Sequence, residues 1–119
     1  MALLKKLVLL ISMALALQVM PVSVSADITA DIEEGKKIAF HRKKGNCLAC
    51  HVIDSGYLPG NIGPELKNIK SRYPDKAVLR AQIFNATAVN PNTIMPPFGL
   101  HGILTEQELD KVVEFIYSL

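Results

Sequence analysis

The sequence predicts an all-α domain in which short helices are joined by long loops rich in glycine and proline. Three segments place apolar residues at helical spacing. The two segments between them are dense in turn-forming residues, and no segment alternates apolar and polar residues as a half-buried strand does. Loops of this length are unusual in a compact domain unless they wrap something, so the pattern indicates a bound group.

The N-terminus of the 119-residue chain has the order of a secretory signal peptide. Two lysines precede an almost entirely apolar stretch from Leu7 to Leu17, and small or β-branched residues follow. We expect residues 1–26 to be a signal peptide cleaved after Ala26, and residues 27–119 to be one exported domain without a membrane span. A retained membrane anchor is the alternative, but the apolar stretch is well short of the roughly 20 residues a spanning helix needs.

The charge and the cysteine content argue against a nucleic-acid partner and against a stabilising disulfide. The chain has 13 Lys and Arg residues and 11 Asp and Glu residues. Two of the basic residues and none of the acidic ones lie in the predicted leader, so residues 27–119 are neutral. A neutral domain without a long basic stripe gives no electrostatic reason to expect nucleic acid as a partner. A disulfide between the two cysteines would close a very short loop and stabilise a small core little.

The first predicted helix covers residues 31–42 and has one apolar face. Gly35 lies on or near that face, although glycine in a helix interior costs about 1 kcal/mol relative to alanine. A glycine at this position suggests that another backbone approaches closely; a simple helix irregularity is the alternative.

The middle of the chain is predicted as loop, helix and loop. Residues 54–68 and 85–97 contain most of the glycines and prolines that follow the first helix. Between them, Pro74 suits the first position of a helix, and Asp75 suits the positive end of its dipole. The mostly apolar face of this helix is formed by Val78, Leu79, Gln82 and Ile83.

The last helix has the clearest signals. Thr105 as N-cap and Glu108 three residues later form a capping box. Its apolar face repeats at helical spacing to the end of the chain, at Leu109, Val112, Val113 and Ile116.

The residues "CLACH", from Cys47 to His51, have the spacing of a covalent haem attachment site. Thiols three residues apart on a short helical turn lie along one porphyrin edge, where they form thioethers with the two vinyl groups. The histidine that follows can place its imidazole under the iron as proximal ligand. The motif therefore predicts one covalently bound haem c.

Two other sites use similar residues. A thioredoxin-like motif also contains C-x-x-C, but it normally lies near a βαβ pattern, which is absent here. A zinc site needs four ligands, and His41 and His101 do not form a second pair at suitable spacing. Haem c is attached outside the cytoplasm, so the predicted leader also favours haem.

Met95 is the only methionine left after the predicted leader is removed, and two prolines stiffen its loop, "TIMPPFG". A thioether opposite an imidazole favours ferrous iron and raises the reduction potential. We therefore expect His51 and Met95 to be the two iron ligands. His101 is the alternative sixth ligand, because imidazole also binds haem iron.

Pro64 lies in "NIGPEL", shortly after the attachment motif. Its carbonyl oxygen is free and held in a rigid turn, so it can accept a hydrogen bond from Nδ1 of His51 and fix the ring. An ordinary turn residue is the alternative.

A run of basic residues precedes the haem motif, and Arg80 lies further along the chain. The run can steer an acidic partner towards the haem edge, although such a run is more often a solvated face. Arg80 is expected at the surface of its helix rather than at a haem propionate. The run consists of Lys36, Lys37, His41, Arg42, Lys43 and Lys44.

Taken in order, "GKKIAF", "CLACH", "GPEL", "MPPF" and the amphipathic C-terminal helix resemble class I cytochromes c. The resemblance covers nearly all of residues 31–119. It implies a class I cytochrome c-like fold wrapped around one covalent haem, with the first and last helices crossing closely. It also implies electron transfer by a haem whose two axial positions are filled.

Longer blocks resemble the SoxX family, the monohaem subunits of SoxAX cytochrome complexes in bacterial sulfur oxidation. The family's haem residues correspond to Cys47, Cys50, His51 and Met95. The blocks are "GNCLACH", "PGNIGPEL", "RYPD", "LRAQIFNAT", "NPNTIMPPFG" and "ILTEQELDKVVEFIYSL".

This narrower resemblance implies a periplasmic heterodimer with a SoxA-type cytochrome subunit. In such a complex, thiosulfate is oxidatively joined to a cysteine of a SoxYZ-type carrier protein. The present chain would accept the electrons and pass them to a small cytochrome c, without being catalytic alone. A free-standing, diffusible electron carrier is the main alternative, and a haem enzyme such as a peroxidase would require Met95 to dissociate.

Overall fold

The computed structural model describes residues 24–119, which contain α-helices and 3₁₀ turns and no β-strand. This confirms the predicted all-α class. Residues 1–23 of the predicted signal peptide lie outside the described part. The helices are α1 (Val24–Phe40), α2 (Ile69–Arg72), α3 (Lys76–Phe84) and α4 (Glu106–Tyr117), and the 3₁₀ turns are Cys47–Ala49 and Ala86–Ala88.

Helix α1 differs from its predicted bounds at both ends. It begins at Val24, before the predicted cleavage position, and residues 26–30 are exposed. An exposed segment has no apolar stripe to reveal it as a helix. It ends at Phe40 because the chain then turns back, with the backbone N–H of Gly45 donating to the carbonyl of Ile38 at 3.2 Å.

Helices α1 and α4 cross at Gly35, which is buried. A Cβ atom added to Gly35 would overlap the backbone carbonyl of Lys111 in α4. Nearby, the rings of Phe40 and Phe115 pack edge to face at 5.7 Å between centroids. The predicted close backbone approach is therefore present, and the side chain of glycine is the only one that fits there.

Helix α3 begins two positions later than predicted, at Lys76. Asp75 is its N-cap, and its carboxylate accepts a hydrogen bond from the backbone N–H of Ala77 at 2.8 Å. The prediction that Pro74 is the first helical residue was therefore wrong, because Pro74 precedes the cap. Val78, placed on the apolar face by its spacing, is also exposed, and the buried face is formed by Leu79 and Ile83.

Ion pairs join α3 to α4. Nε of Arg80 lies 2.6 Å from Asp110, and the same guanidinium contacts Glu106. Nζ of Lys76 lies 2.6 Å from Glu114. Arg80 is thus directed towards α4, as a helix-surface residue, and is not among the residues that line the cavity described below.

Helix α4 has the predicted capping box. Thr105 Oγ1 accepts from the backbone N–H of Glu108 at 3.2 Å, and the Glu108 carboxylate accepts from the backbone N–H of Thr105 at 3.1 Å. Lys44, which precedes the haem motif, forms an ion pair with the same carboxylate. The cap therefore also connects α4 to the segment before Cys47.

Replacing Glu108 by glutamine is expected to destabilise the protein in a pH-dependent way. The hydrogen bond from Lys44, and then that from the Thr105 backbone, lower the pKa of the Glu108 carboxyl below its ordinary value. A lowered folded-state pKa gives stability above the unfolded pKa of about 4.3, which is lost as the pH falls through the folded value. Glutamine can still complete a capping box, so we expect a loss of only about 0.5 kcal/mol at pH 7.

Urea unfolding of the protein at pH 7 and at successively lower pH measures this difference. Glu33, which is exposed on α1, provides the matched Glu→Gln control. A difference between Glu108→Gln and the native chain that persists unchanged at acid pH would contradict a role for the charge.

Candidate functional site

A largely apolar cavity of about 540 Å³ lies between the loops and the helices. Its volume is within the usual range of ligand sites. Part of its wall is the hydrophobic core itself, so a group bound there would complete the core. The core residues that line it are Ile69, Leu79, Ile83, Phe98, Val112 and Ile116.

The cavity brings together every site residue that the sequence predicts. They come from three segments: the attachment motif, the turn that follows it and the proline-bounded loop. They are Cys47, Cys50, His51, Pro64 and Met95.

The attachment motif forms a tight turn. Asn46 adopts a left-handed conformation with φ of 47°, and the 3₁₀ turn Cys47–Ala49 follows it. The backbone N–H of His51 donates to the carbonyl of Cys47 at 2.9 Å. This geometry makes the "CLACH" segment a compact turn at the cavity wall, as haem attachment requires.

The two cysteines are partly buried and are not joined to each other. Burial raises the pKa of the Cys47 thiol to about 11, so this thiol is protonated at neutral pH. A C-x-x-C redox motif depends instead on a thiolate with a lowered pKa. The structure therefore gives no support to the thioredoxin-like alternative.

The imidazole of His51 is held from two sides. Its Nδ1 lies 2.6 Å from the carbonyl oxygen of Pro64, so the predicted contact is present, with Nδ1–H donating. Gly63 lies against the ring, where a Cβ atom would come within 2.7 Å of Nδ1. Donation from Nδ1 leaves the lone pair on Nε2, the nitrogen free to bind a metal.

The loop around Met95 is anchored to α3. The backbone N–H of Gly99 donates to the carbonyl of Phe84, the last residue of that helix, at 3.1 Å. The backbone N–H of Met95 donates to Thr93 Oγ1 at 3.2 Å, and its side chain packs against the core. His101, the alternative iron ligand, is exposed and is not among the residues that line the cavity.

Sequence reasoning missed how residues 54–63 fold over the attachment turn. The backbone N–H of Gly60 donates to the carbonyl of Leu48 at 2.7 Å, and that of Gly63 donates to Cys50 at 2.7 Å. A Cβ atom on Gly56 would overlap the Leu48 side chain. The signal in the sequence was the spacing of Gly56, Gly60 and Gly63 soon after the motif, because glycines allow two backbone segments to lie close together.

Comparison with known proteins identifies the family. Residues 32–119 match the family described as Cytochrome c. The chain belongs to the cytochrome c family. An "Uncharacterized lipoprotein" of Aquifex aeolicus (strain VF5) is 37% identical to this cytochrome over 77 residues, which are 64% of this chain. Those residues are 37% of that relative, so the chain spans well under half of its length.

Members of the cytochrome c family bind haem c covalently and transfer electrons, and Cys47 and Cys50 of this cytochrome fit the attachment motif. The residues present fit that group: an apolar cavity, a turn with two thiols and an imidazole with Nε2 available. Within residues 24–119, no buried side-chain N or O atom lacks a hydrogen-bond partner. None of the helices in this range is both long and apolar enough to cross a membrane.

Proposed function

We propose that this cytochrome is the electron-accepting subunit of a periplasmic SoxAX-type complex. In this complex, thiosulfate is oxidatively coupled to a cysteine of a SoxYZ-type carrier, and electrons leave through a small cytochrome c. The observation that supports the proposal best is the position of the SoxX-like blocks. Each of the six contributes residues to the lining of one cavity.

We propose His51 and Met95 as the axial ligands of the haem iron. Donation from His51 Nδ1 to Pro64 fixes the ring and makes Nε2 a stronger donor. The bound haem supplies one-electron redox chemistry. The chain contributes the two ligands, an apolar wall that excludes water and, at Cys47 and Cys50, the covalent attachment. Both cysteines of the sequence are used in that attachment, so sulfur chemistry would take place on the partner subunit.

Export is part of the same proposal. We propose cleavage after Ala26, which would make Asp27 the first residue of the periplasmic protein. N-terminal sequencing of the haem-containing protein is expected to begin at Asp27. A protein that retains the leader and stays with the membrane fraction would contradict this.

The functional test is the reduction of the haem by thiosulfate, followed by visible absorption. We expect reduction only when a SoxA-type subunit and a SoxYZ-type carrier from the same organism are both present. We also expect co-elution with the SoxA-type subunit in gel filtration. If this cytochrome elutes by itself and still exchanges electrons rapidly in the absence of the SoxA-type subunit, the free-standing carrier would be established instead.

Replacing Cys47 and Cys50 together by alanine is expected to abolish covalent haem. Because each thioether needs one thiol, either single variant should keep one bond and shift the pyridine haemochrome band. Haem staining after denaturing electrophoresis and extraction with acid acetone measure the loss. His101→Ala is the control, and haem that stays covalently bound in the double variant would contradict the assignment.

A further inference from the structure

The segment that carries Met95 is joined rigidly to the residues that follow it. Pro96 and Pro97 come directly after Met95, and a proline ring holds its own φ at about −65°. The backbone N–H of His101 donates to the carbonyl of Pro97 at 3.0 Å, and the side chain of Phe98 is buried in the core. A displacement of the chain just after the two prolines would therefore move Met95 as well.

Gly99 connects this rigid segment to the end of helix α3. Its backbone N–H and that of Leu100 both donate to the carbonyl of Phe84, at 3.1 and 3.2 Å. Phe84 is the last residue of α3, so its carbonyl is one of those that a helix leaves without an intrahelical partner. The two loop residues supply donors to this carbonyl, and the end of α3 supports the loop.

The ring of Phe84 lies directly against Gly99. A Cβ atom added to Gly99 would overlap the ring and lie 2.7 Å from its Cγ atom. The ring cannot move aside without leaving its χ1 rotamer, and it is partly buried against the hydrophobic core. The backbone of Gly99 is not left-handed, so the lack of space, and not the conformation, requires glycine here.

The two residues of this contact lie outside the cavity. Met95, Pro96 and Phe98 are among the residues that line it, whereas Phe84 and Gly99 are not. The contact can therefore affect a bound group only through the short segment that leads back to Met95. Helix α3 is itself held on α4 by ion pairs, which keep the support for the loop in place.

We propose that the contact between Gly99 and the Phe84 ring positions Met95 for ligation of the haem iron. Neither residue supplies a ligand, so both are positioning residues. Because the two prolines cannot absorb a shift, lifting the loop off the ring would withdraw the Met95 sulfur from the iron. The inference rests on the proposed ligation by Met95 and is independent of the SoxAX assignment.

The test is stopped-flow binding of carbon monoxide to the reduced, haem-loaded protein. Carbon monoxide binds only after the sixth ligand leaves, so its rate reports how readily Met95 dissociates. In Gly99→Ala the methyl group would push the loop away from the ring, and we expect binding at least about tenfold faster than in the native chain. The long-wavelength absorption band of ferric haem with a bound thioether should weaken in the same variant. A native rate and a native band would overturn the proposal.

A double-mutant cycle with Phe84→Ala separates the effect of the ring from other effects of the methyl group. The three atoms nearest to the added Cβ all belong to this ring, and Phe84→Ala removes them while keeping the backbone carbonyl. In the Phe84→Ala background, Gly99→Ala should therefore change the rate by less than about twofold. An acceleration of the same size in both backgrounds would overturn the role of the ring.

Gly102→Ala is the matched control for a general loss of stability in the same loop. Gly102 has φ of 62°, so alanine is strained there, but an added Cβ meets no atom within 4 Å. We expect a lower melting temperature by circular dichroism, with the carbon monoxide rate within about twofold of the native rate. Equal acceleration by Gly102→Ala would overturn the proposal.

Met95→Ala separates this inference from the ligand assignment on which it rests. We expect this variant to bind carbon monoxide faster than the native chain, because it lacks the thioether. A native rate in Met95→Ala would overturn the ligand assignment itself. Fast binding by Met95→Ala together with a native rate in Gly99→Ala would overturn only the positioning contact.

Discussion

Replacing Met95 by alanine is expected to lower the reduction potential of the bound haem by on the order of 0.1 V or more. As the proposed sixth ligand, the Met95 thioether would stabilise ferrous iron, and alanine supplies no ligand in its place. The variant should also bind carbon monoxide when reduced, because an axial position becomes available. Potentiometric titration and carbon monoxide difference spectra measure the two effects.

Two further variants distinguish the loss of the proposed iron ligand from the loss of side-chain packing. Met95→Leu keeps most of the side-chain volume but lacks a donor, so it should reproduce the change in potential with a smaller loss of stability than Met95→Ala. His101→Ala should leave the potential unchanged, because His101 is exposed and is not one of the lining residues. A drop in potential in His101→Ala, or no carbon monoxide binding by Met95→Ala, would contradict the ligand assignment.

The features that could be predicted from the sequence depend on local chemistry. The capping box at Thr105 and Glu108 is made by groups three residues apart, so its spacing identifies it. The attachment motif is equally local. The carbonyl of Pro64 was predictable because proline has no N–H to donate and its turn is rigid. Gly35 was informative because glycine destabilises a helix interior. Its presence there indicates that a larger side chain would not fit.

The features that could not be predicted depend on which surfaces meet in three dimensions. Val78 has the spacing of an apolar face, but the packing of α3 leaves it exposed. The partners of Arg80 lie on α4, far away in the chain, and no local pattern specifies them. The start of α1 at Val24 could not be predicted either, because its first turns are exposed and have no apolar stripe.

The segment that contains Tyr57 and Leu58 shows the same limit. In the sequence these residues are part of a turn-rich segment, with no sign that they are exposed beside the haem motif. Their position follows from hydrogen bonds between that segment and the attachment turn. Such contacts join two irregular segments, for which no periodicity exists to be recognised.

Replacing Gly35 by alanine is expected to destabilise the cytochrome by about 2–3 kcal/mol or more. Alanine ordinarily stabilises a helix relative to glycine by about 1 kcal/mol. Here its methyl group would overlap the backbone carbonyl of Lys111, which cannot move aside as a flexible side chain could. For a domain of this size the melting temperature should fall by roughly 10 °C or more, measured by circular dichroism of the haem-loaded protein.

The same substitution should also affect the haem site, because α4 supplies part of the cavity wall through Val112 and Ile116. Moving α4 away from α1 to admit a methyl group displaces that wall, so the visible spectrum and the melting temperature should change together. Glu33→Ala, at an exposed position of the same helix, should change the free energy of unfolding by less than about 0.5 kcal/mol. A higher melting temperature for Gly35→Ala, as at an ordinary helix position, would show that the two helices do not cross this closely.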